Sequence, residues 1–255
     1  MIDLEEDDQN VDDTRFVFVT PVFNCKDSIA QTILSVVAQS YDNWRMLIRD
    51  DMSTDGTVEQ IQRTVDSLGV WDKISLTINT EKHGEVRNTL EALKDIDDDE
   101  VVCRLDGGDW LTDLDGMAII DHSYRATNAG AAWTAHRWGY TTKNISGPFK
   151  KARADAYEHP WVSSHMKTFR AGLLKRVPDA NFRDENGDYI MIACDQAIYL
   201  PVLHQAMLEG KQRVFLPFCM YHYSIDLQDP ELFTNERSLR QKESAEFIRA
   251  RGYVV

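Results

Sequence analysis

Short apolar stretches alternate with segments of helical periodicity from residue 16 onward. The first stretch, FVFVTPV at 16–22, is β-branched and aromatic and too short for a helix, so it predicts a buried strand. The same pattern predicts further strands at 44–48, 74–78 and 101–105, and helices at 27–39, 58–68, 85–93 and 113–126. This alternation is typical of βαβ units and of an α/β fold with a largely parallel sheet.

The second half of the chain is less regular. Its predicted elements are strands joined by a polar turn at 131–142, a short helix at 169–177, a turn at 184–188, a helix at 190–208, a strand at 214–223 and a terminal helix at 236–250. Pro201 is expected to interrupt or kink the helix at 190–208. Leu239 and Ile248 are expected to face inward from the terminal helix. Because no repeat or break in composition follows residue 14, we predict one compact unit.

Acidic residues are concentrated at the start of the chain. The formal net charge is −14, and half of it comes from residues 1–14, which contain seven acidic residues and no basic one. We interpret residues 1–14 as a solvated, disordered tail. The rest of the chain is only mildly acidic and has no evident basic face, which excludes a protein that coats duplex DNA, so we expect no nucleic-acid partner.

The sequence also limits where the protein is expected to work. It has no run of about 18 apolar residues that would cross a membrane, and its acidic start is unlike a signal peptide. Its four cysteines, at 25, 103, 194 and 219, show no CxxC spacing, and three lie in apolar segments. These features predict reduced cysteines in a cytoplasmic protein, with peripheral contact to a membrane left open.

Polar and acidic side chains follow the first, second and fourth predicted strands. In a doubly wound sheet, ligands bind beyond the carboxyl ends of the strands. Five acidic residues are expected at this edge: Asp50, Asp51, Asp55, Asp106 and Asp109. Two like charges 4 Å apart repel by about 4 kcal/mol at an effective dielectric constant of 20, so a phosphate group here requires a cation between the charges. We therefore predict that Mn²⁺ or Mg²⁺ binds at this edge.

Three sequence blocks at this edge resemble the family 2 glycosyltransferases. They are VTPVFN at 19–24, IRDDMSTDGT at 48–57 and RLDGGDWL at 104–111, and VRN at 86–88 stands where the family has A-R-N. The resemblance covers about residues 15–115. It implies a GT-A fold, with a doubly wound, mostly parallel, Rossmann-like sheet in a nucleotide-sugar half at 15–115. A mixed acceptor half at 116–225 and a C-terminal helical extension at 226–255 would follow.

The resemblance also implies roles for individual residues. Pro21, Phe23 and Asn24 would border the nucleotide base, and Asp50 or Asp51 would accept a hydrogen bond from it. The other residues assigned to the donor or the metal are Arg87 near the ribose or diphosphate, Asp106, Gly107 and Asp109 in the DxD-like motif, and His222 as a third metal ligand.

Gly108 departs from the family pattern L-D-x-D-D, which has aspartate at this position. If that carboxylate is the usual metal ligand, Asp109 must replace it. Glycine reaches backbone conformations that other residues avoid, so Gly107 and Gly108 would re-aim Asp109.

The acceptor half is expected to supply the catalytic base. The segment CDQ at 194–196 resembles the family's E-D-x-x-L, which makes Asp195 the general base of an inverting transfer. Segments 161–170 and 184–203 resemble parts of capsule- and lipooligosaccharide-type glycosyltransferases that lie beside the donor sugar and acceptor. Trp161 and His165 are therefore expected to contact a sugar. A helix cap explains Asp195 equally well, and a half-buried packing role explains His222.

The sequence thus predicts a metal-dependent enzyme of polysaccharide biosynthesis. It would move a hexose-type sugar from a nucleotide diphosphate, UDP in the first instance, to a hydroxyl of a glycan acceptor. One alternative is a GT-A module that binds the nucleotide sugar without turnover, for which Gly108 is the best support. Another is a sugar-phosphate nucleotidyltransferase, but PVFNCKDS, at 21–28, lacks the glycine-rich basic loop that such an enzyme needs.

Overall fold

The computed structural model describes residues 13–151, 153–224 and 235–255. Residues 1–12 of the predicted tail, and 226–234 of the predicted C-terminal extension, lie outside the described residues. Thr14 is buried, and its backbone N–H donates to Asp121 Oδ1 at 3.0 Å. Thr14 is therefore packed against the body of the protein, although we placed it in the tail.

The first half of the chain alternates strands with helices, as predicted. Its elements are β1 (Phe16–Val22), α1 (Ile29–Val37), β2 (Trp44–Asp50), α2 (Thr57–Leu68), β3 (Ile74–Ile78), α3 (Gly84–Ala92), a 3₁₀ turn (Leu93–Asp95) and β4 (Val101–Arg104). These four strands are parallel, and β1 lies between β2 and β4. Val22 pairs with Asp50 and Val19 with Arg104, so the carboxyl ends of the three strands lie at one edge of the sheet.

The second half adds four strands to the same sheet. Its elements are β5 (Trp110–Leu111), α4 (Gly116–Thr127), β6 (Ala129–Trp138), β7 (Lys167–Arg170), α5 (Ala171–Lys175), a 3₁₀ turn (Asp179–Phe182), α6 (Cys194–Leu208), β8 (Gln212–Tyr223) and α7 (Asn235–Arg251). The strand order is β3-β2-β1-β4-β7-β6-β8-β5. β7 runs antiparallel to both neighbours, β6 and β8 are parallel, and β5 is antiparallel to β8. The predicted α/β class, with a parallel first half and a mixed second half, is confirmed.

Two predictions for the second half were wrong. Residues 131–138 belong to one long strand, β6, rather than to two strands joined by a turn. Residues 167–170 form the strand β7, so residues 169 and 170 are in a strand where we expected the start of the helix at 169–177. β7 is only four residues long and is defined by its pairing, because Phe169 lies opposite both Val102 of β4 and Ala131 of β6. Its local sequence, KTFR, carries no strand periodicity that would reveal this.

The helix limits near the C-terminus also differ from the prediction. α6 begins at Cys194, four residues later than predicted, and contains Pro201 within it. α7 packs through its second half, where Ile248 is 1% exposed and Arg249 Nη1 donates to the carbonyl oxygens of Tyr157 and His159. Leu239 is 56% exposed, so its predicted inward orientation was wrong. The first turns of α7, which include Leu239, do not take part in these contacts.

The sheet is covered by hydrophobic side chains on both faces. Along β1, Val17 and Val19 belong to a core that includes residues of α3, α5, α6 and α7. Phe16 and Phe18 point to the opposite side and join a core with residues of α1, α2 and α4. Because both faces of β1 are buried, its sequence is continuously apolar rather than alternating.

Two further expectations concern cysteines and membranes. The four cysteines are free, as their spacing predicts. Among the described residues, no helix combines the length and the apolar character needed to cross a membrane.

A stability prediction follows from Tyr199, which connects α6 to the sheet. Its buried hydroxyl donates to the carbonyl oxygens of Ala132 in β6, at 2.8 Å, and Thr168 in β7, at 3.2 Å. We expect Tyr199→Phe to lower the free energy of unfolding by about 1–1.5 kcal/mol, the typical net value of a lost hydrogen bond. Urea denaturation measures this change. Tyr140→Phe is the matched control, because Tyr140 is 78% exposed, and an equal loss in both variants would contradict the prediction.

Candidate functional site

The loops after β1, β2 and β4 are joined directly to one another. The Asp51 backbone N–H donates to Val22 O at 2.8 Å, and the Gly107 N–H donates to Pro21 O at 3.1 Å. The three resembling sequence blocks, which are far apart along the chain, therefore form one rim at the carboxyl ends of the parallel strands.

The STDGT segment connects two of these loops through Asp55. Its carboxylate accepts hydrogen bonds from Lys26 N at 3.1 Å, Thr57 N at 2.9 Å and Thr57 Oγ1 at 2.6 Å. Gly56 has a φ of 96°, a left-handed conformation that suits glycine, and it precedes the first residue of α2. Asp55, Gly56 and Thr57 thus shape the turn into α2.

Asp50 and Asp51 have different surroundings. Asp51 accepts hydrogen bonds from Asn79 Nδ2 at 2.9 Å, His83 N at 2.8 Å and Gly84 N at 3.0 Å. Burial raises the pKa of Asp51, but the hydrogen bonds, first among them that of His83, outweigh it and leave the pKa below its ordinary value. Asp51 therefore anchors the loop that precedes α3.

Asp50 keeps one acceptor atom unused. Its Oδ2 accepts a hydrogen bond from Ser53 N at 3.0 Å. Its buried Oδ1 has no hydrogen-bond partner among the residues that the structure describes. Of the two aspartates predicted to contact a nucleotide base, Asp50 is the one with a vacant acceptor.

The other residues predicted to contact the nucleotide lie at the same rim. Phe23 is 48% exposed, and Lys82 Nζ lies 3.3 Å from the centre of its ring. Asn24 is exposed with a φ of 47°, and its Oδ1 accepts a hydrogen bond from Thr54 N at 2.9 Å. Pro21 is half-buried. Arg87 near the start of α3 forms an ion pair with Glu81 at 2.9 Å.

Asp106 follows β4 and is paired with a buried arginine. Arg104 is 1% exposed, and its Nη2 lies 3.2 Å from Asp106 Oδ1. The same guanidinium also binds Glu85 of α3, and it donates to Thr89 Oγ1 at 2.7 Å. Burial raises the pKa of Asp106, although Arg104 opposes this. The Asp106 side chain stays 32% exposed and so remains accessible to a ligand.

The two glycines after Asp106 are required by close packing. A Cβ on Gly107 would lie 2.7 Å from Val22 Cγ1 and 3.0 Å from Pro21 O. Gly108 has a φ of 100°, and a Cβ there would lie 2.9 Å from Ser28 Oγ. The aspartate that the family pattern has at position 108 would be strained in this backbone conformation.

Asp109 is fastened to the end of β8. It is 1% exposed, and its Oδ2 accepts a hydrogen bond from the Tyr221 hydroxyl at 2.7 Å. Its Oδ1 accepts hydrogen bonds from Ser224 N at 2.8 Å and Ser224 Oγ at 2.7 Å. Burial, together with the nearby Asp106, raises the pKa of Asp109 to about 7 against the effect of these donors. Both carboxylate oxygens are thus engaged within the protein.

His222 is also engaged within the protein. Its buried ring stacks on Trp110 at 3.8 Å between ring centres, and its Nδ1 accepts a hydrogen bond from Arg137 Nε at 3.0 Å. Trp110 and His222 lie opposite each other in the pairing of β5 with β8.

A different group of side chains is suited to a metal ion. Asp106, His165 and Asp195 each offer one ligand atom, and these atoms all lie within 4.8 Å of one another. Of the predicted set Asp106, Asp109 and His222, only Asp106 belongs to this group. His165 and Asp195 were predicted for other roles, as a sugar contact and as the base. The metal roles of Asp109 and His222 stay predictions.

Lys167 contacts two members of this group. Its side chain is 2% exposed, and its Nζ lies 2.5 Å from Asp195 Oδ1 and 3.1 Å from His165 Nδ1. Burial raises the pKa of Asp195, but Lys167 and then His165 outweigh it and hold the pKa far below its ordinary value. Burial, and then Lys167, lower the pKa of His165 to about 3. At neutral pH, Asp195 is therefore charged and His165 is neutral.

The two residues predicted to contact a sugar have different environments. His165 stacks between Tyr221, at 4.6 Å, and Tyr223, at 5.4 Å. Trp161 is half-buried and packs against the hydrophobic core beside α6. The sugar contacts of both residues stay predictions.

Comparison with known proteins decides the family. The sequence pattern described as glycosyl transferase family 2 matches residues 17–177, more than half of the chain. The chain belongs to glycosyltransferase family 2. The recognition made from the three sequence blocks is confirmed.

Two curated proteins of Bacillus subtilis (strain 168) match this family 2 chain over short stretches. TuaG, named as a teichuronic acid biosynthesis glycosyltransferase, is 47% identical over 45 residues, which cover 18% of this chain and 18% of TuaG. EpsE, named as a glycosyltransferase, is 46% identical over 37 residues, which cover 14% of this chain and 13% of EpsE. The matched part is less than a fifth of the length of either relative.

Solved structures of glycosyltransferases share the fold of this family 2 chain. The crystal structure of S. aureus TarS 1-349 in complex with UDP-GlcNAc has a TM-score of 0.69 at 16% identity, covering 92% of this chain and 65% of that one. The mannosyltransferase PcManGT from Pyrobaculum calidifontis, in complex with GDP-Man and Mn²⁺, has a TM-score of 0.65 at 16% identity, covering 94% and 64%. At these identities, the likeness establishes the GT-A fold.

The GT-A fold implies a divalent metal, and the donor set of this family 2 chain fits one. Two carboxylates and an imidazole are ligands that first-row divalent ions such as Mn²⁺ accept, whereas Mg²⁺ prefers oxygen ligands and retained water. The partly exposed Asp106 and Asp195, at 32% and 31% exposure of their side chains, offer oxygen, and the buried His165 offers nitrogen.

Sequence reasoning missed three charged residues of this site, namely Glu85, Arg104 and Lys167. Burial, followed by repulsion from Asp106, raises the pKa of Glu85 to about 7 against the pull of Arg104. One available signal was the arginine in the otherwise apolar segment VVCRLD, because a charge within a buried strand requires a partner. One partner of Arg104, Asp106, lies in the same segment, but Glu85 and Thr89 come from α3 and could not be read from it.

The hydrogen bonds to Asp51 generate a prediction about pH. We expect Asp51→Asn to lower the free energy of unfolding by about 2 kcal/mol near pH 7, because an amide loses charge-assisted hydrogen bonds from backbone N–H groups. The pKa of Asp51 is depressed in the folded state, so its contribution is present above the ordinary value of 3.8 and is lost as the pH falls through the folded-state value. The difference between variant and parent should therefore shrink as the pH falls below 3.8.

Urea denaturation at several pH values tests this prediction. Asp27→Asn is the matched control, because Asp27 is exposed. A difference between Asp51→Asn and the parent that grows on acidification would contradict the assignment.

Proposed function

We propose that this protein transfers a sugar from a nucleotide diphosphate, UDP in the first instance, to a hydroxyl of a glycan acceptor, with inversion at the anomeric carbon. The observation that carries the proposal is the meeting of Asp106 and Asp195 at the nucleotide edge of a family 2 GT-A sheet. TarS was solved with UDP-GlcNAc and PcManGT with GDP-Man, which supports a nucleotide-sugar donor. TuaG is named for teichuronic acid biosynthesis, which supports a glycan acceptor.

The donor would bind along the rim of the parallel strands. Phe23, Pro21 and Asn24 would border the base, and the vacant Oδ1 of Asp50 would accept a hydrogen bond from it. Arg87 would turn from Glu81 toward the ribose or diphosphate. The backbone at Gly107 allows the close approach of the loop to the end of β1.

A divalent cation, Mn²⁺ or Mg²⁺, would be held by Asp106 with His165 and Asp195. When bound, it supplies positive charge that stabilises the departing diphosphate. Asp109 would act through position, since its hydrogen bonds to Tyr221 and Ser224 hold the loop that carries Asp106.

Asp195 would act as the general base. An inverting transfer needs an ionised carboxylate that takes the proton of the acceptor hydroxyl while the hydroxyl oxygen bonds to the anomeric carbon. The bond between that carbon and the diphosphate oxygen breaks on the opposite face, and its electron pair leaves with the diphosphate. Asp195 lies in the first turn of α6 and next to Lys167, and both favour the ionised form.

A second candidate function is a GT-A module that binds nucleotide sugars without turnover. Two observations favour it, namely the glycine at position 108 and the complete engagement of Asp109 by internal hydrogen bonds. Binding of UDP, combined with an absence of UDP release from UDP-sugars and of GDP release from GDP-sugars in the presence of Mn²⁺ and acceptor glycans, would establish this alternative in place of transfer.

The proposed base generates a kinetic prediction. Asp195→Asn should retain the part of nucleotide-sugar binding that does not depend on Mn²⁺ and lose transfer by at least about 10²-fold, the usual scale for a general base. Coupled release of UDP measures transfer, and calorimetry measures donor binding. Asp188→Asn is the control, because Asp188 is exposed in the turn before α6. Transfer by Asp195→Asn at a rate near that of the parent would rule out Asp195 as the base.

The proposed metal ligand generates a binding prediction. We expect Asp106→Asn to remove the part of UDP affinity that depends on Mn²⁺, because it withdraws the partly exposed carboxylate of the DxD-like loop from the group, while UDP alone binds as to the parent. Thermal shift with UDP, in the presence and absence of Mn²⁺, measures this difference. Asp109→Asn provides the comparison. Loss of the Mn²⁺-dependent part in Asp109→Asn alone, with the fold intact, would favour Asp109 as the ligand instead.

A further inference from the structure

Lys167 occupies an unusual place for a lysine. It lies in the middle of the sheet, where its backbone pairs with Arg104 of β4 on one side and with Trp133 of β6 on the other. Its side chain is 2% exposed. Burying an ammonium costs free energy unless an anionic group pairs with it, so the groups around Nζ decide whether the charge is stable there.

The ammonium faces the members of the metal-binding group. Nζ lies 2.5 Å from Asp195 Oδ1 and 3.1 Å from His165 Nδ1. Arg104 forms ion pairs with Glu85 and Asp106. Two cations, Arg104 and Lys167, thus pair with the three carboxylates of Glu85, Asp106 and Asp195. Lys167 is the cation paired with Asp195.

The hydrogen bond to His165 restricts how that ring can bind a metal. An ammonium only donates, so Nδ1 of His165 accepts and the proton of the neutral ring lies on Nε2. Nε2 faces Asp195 Oδ2 at 3.7 Å. A metal needs a nitrogen lone pair, but the lone pair of Nδ1 points at Lys167 and Nε2 carries a hydrogen. A cation bound to His165 therefore requires Lys167 to leave Nδ1.

The carboxylate imposes the same condition. Metal–oxygen bonds in such sites are about 2.0–2.2 Å long. Asp195 Oδ1 already has the ammonium at 2.5 Å, and a divalent ion placed against the same oxygen would repel it. Asp195 Oδ2 is also available to a metal, but an ion on either oxygen lies close to the ammonium, and the repulsion drives the Lys167 side chain away.

We propose that Lys167 is a built-in counterion of the Asp106–His165–Asp195 group, and that a divalent cation completes its coordination there only by displacing the Lys167 ammonium. The inference deepens the proposed function, since it rests on the same group as the metal site. Displacement also removes the ammonium from the carboxylate that is proposed to take up the acceptor's proton. Lys167 is in this sense a positioning residue that sets how readily the group accepts a metal.

The test is a titration with Mn²⁺ alone, without nucleotide or sugar. Lys167→Met keeps an unbranched side chain of nearly the same length and removes its charge. We expect it to bind Mn²⁺ at least about tenfold more tightly than the parent, because no ammonium has to be displaced. Lys167→Arg keeps the charge and should show no such gain. Calorimetry, or the electron paramagnetic resonance signal of free Mn²⁺, measures the affinity.

Lys175→Met is the matched control. Lys175 is also ion-paired, with Asp98 at 3.0 Å, but it lies in α5 near the start of β4, at the end of that strand opposite Asp106. Its Mn²⁺ affinity should equal that of the parent. The proposal is overturned if Lys167→Met binds Mn²⁺ no more tightly than the parent, or if Lys175→Met shows an equal gain in Mn²⁺ affinity.

Lys167→Met is expected to be less stable than the parent, because Asp195 loses its partner. Thermal unfolding therefore gives a second readout, in which Mn²⁺ should raise the Tm of Lys167→Met by more than it raises that of the parent. An equal or smaller rise would also overturn the proposal. Both readouts use the metal alone, so they do not depend on sugar transfer. An absence of transfer would contradict only the proposed function. Unchanged Mn²⁺ affinity in Lys167→Met, with an active parent enzyme, would contradict only the role of Lys167.

Discussion

Buried charge at the junction of β4 and β7 is the constraint on which the site depends. Removing an ion from water costs several kcal/mol, which only good pairing and hydrogen bonding recover. Arg104 and Lys167 lie side by side in these two strands, and their partners come from α3, from the loop after β4 and from the first turn of α6. Satisfying these charges therefore holds the first and second halves of the chain in one arrangement.

The same arrangement explains the unusual DxD-like segment. Gly107 and Gly108 let the loop pass close to β1 and α1, where a side chain would clash or be strained. The loop then turns Asp109 inward to β8, where three donors bind it, and leaves Asp106 as the accessible carboxylate. The motif lacks a carboxylate at position 108, and the accessible Asp106 has His165 and Asp195, from elsewhere in the chain, as its neighbours.

Much of the first half could be predicted from local patterns. The strands β1 to β4 and the helices between them follow apolar runs whose length and periodicity identify them, and the rim residues follow from the rule that ligands bind at the carboxyl ends of parallel strands. β7 could not be found in this way. Its four residues are ordered by neighbours on both sides, and its buried lysine contradicts the apolar pattern of a central strand.

The sequence by itself determined the family, through contiguous motifs, and the α/β class, through the alternation of strands and helices. It also predicted Asp106 and Asp195 as site residues, because both lie in such motifs. Only the tertiary structure decided which of these groups meet. It distinguished Asp51 from Asp50, because the oxygens of Asp51 accept hydrogen bonds from backbone N–H groups and from Asn79. It also placed Lys167 beside both Asp195 and His165. The physical reason is that charge pairing acts through distance in space, and residues 104, 106, 167 and 195 become neighbours only when β7 inserts beside β4.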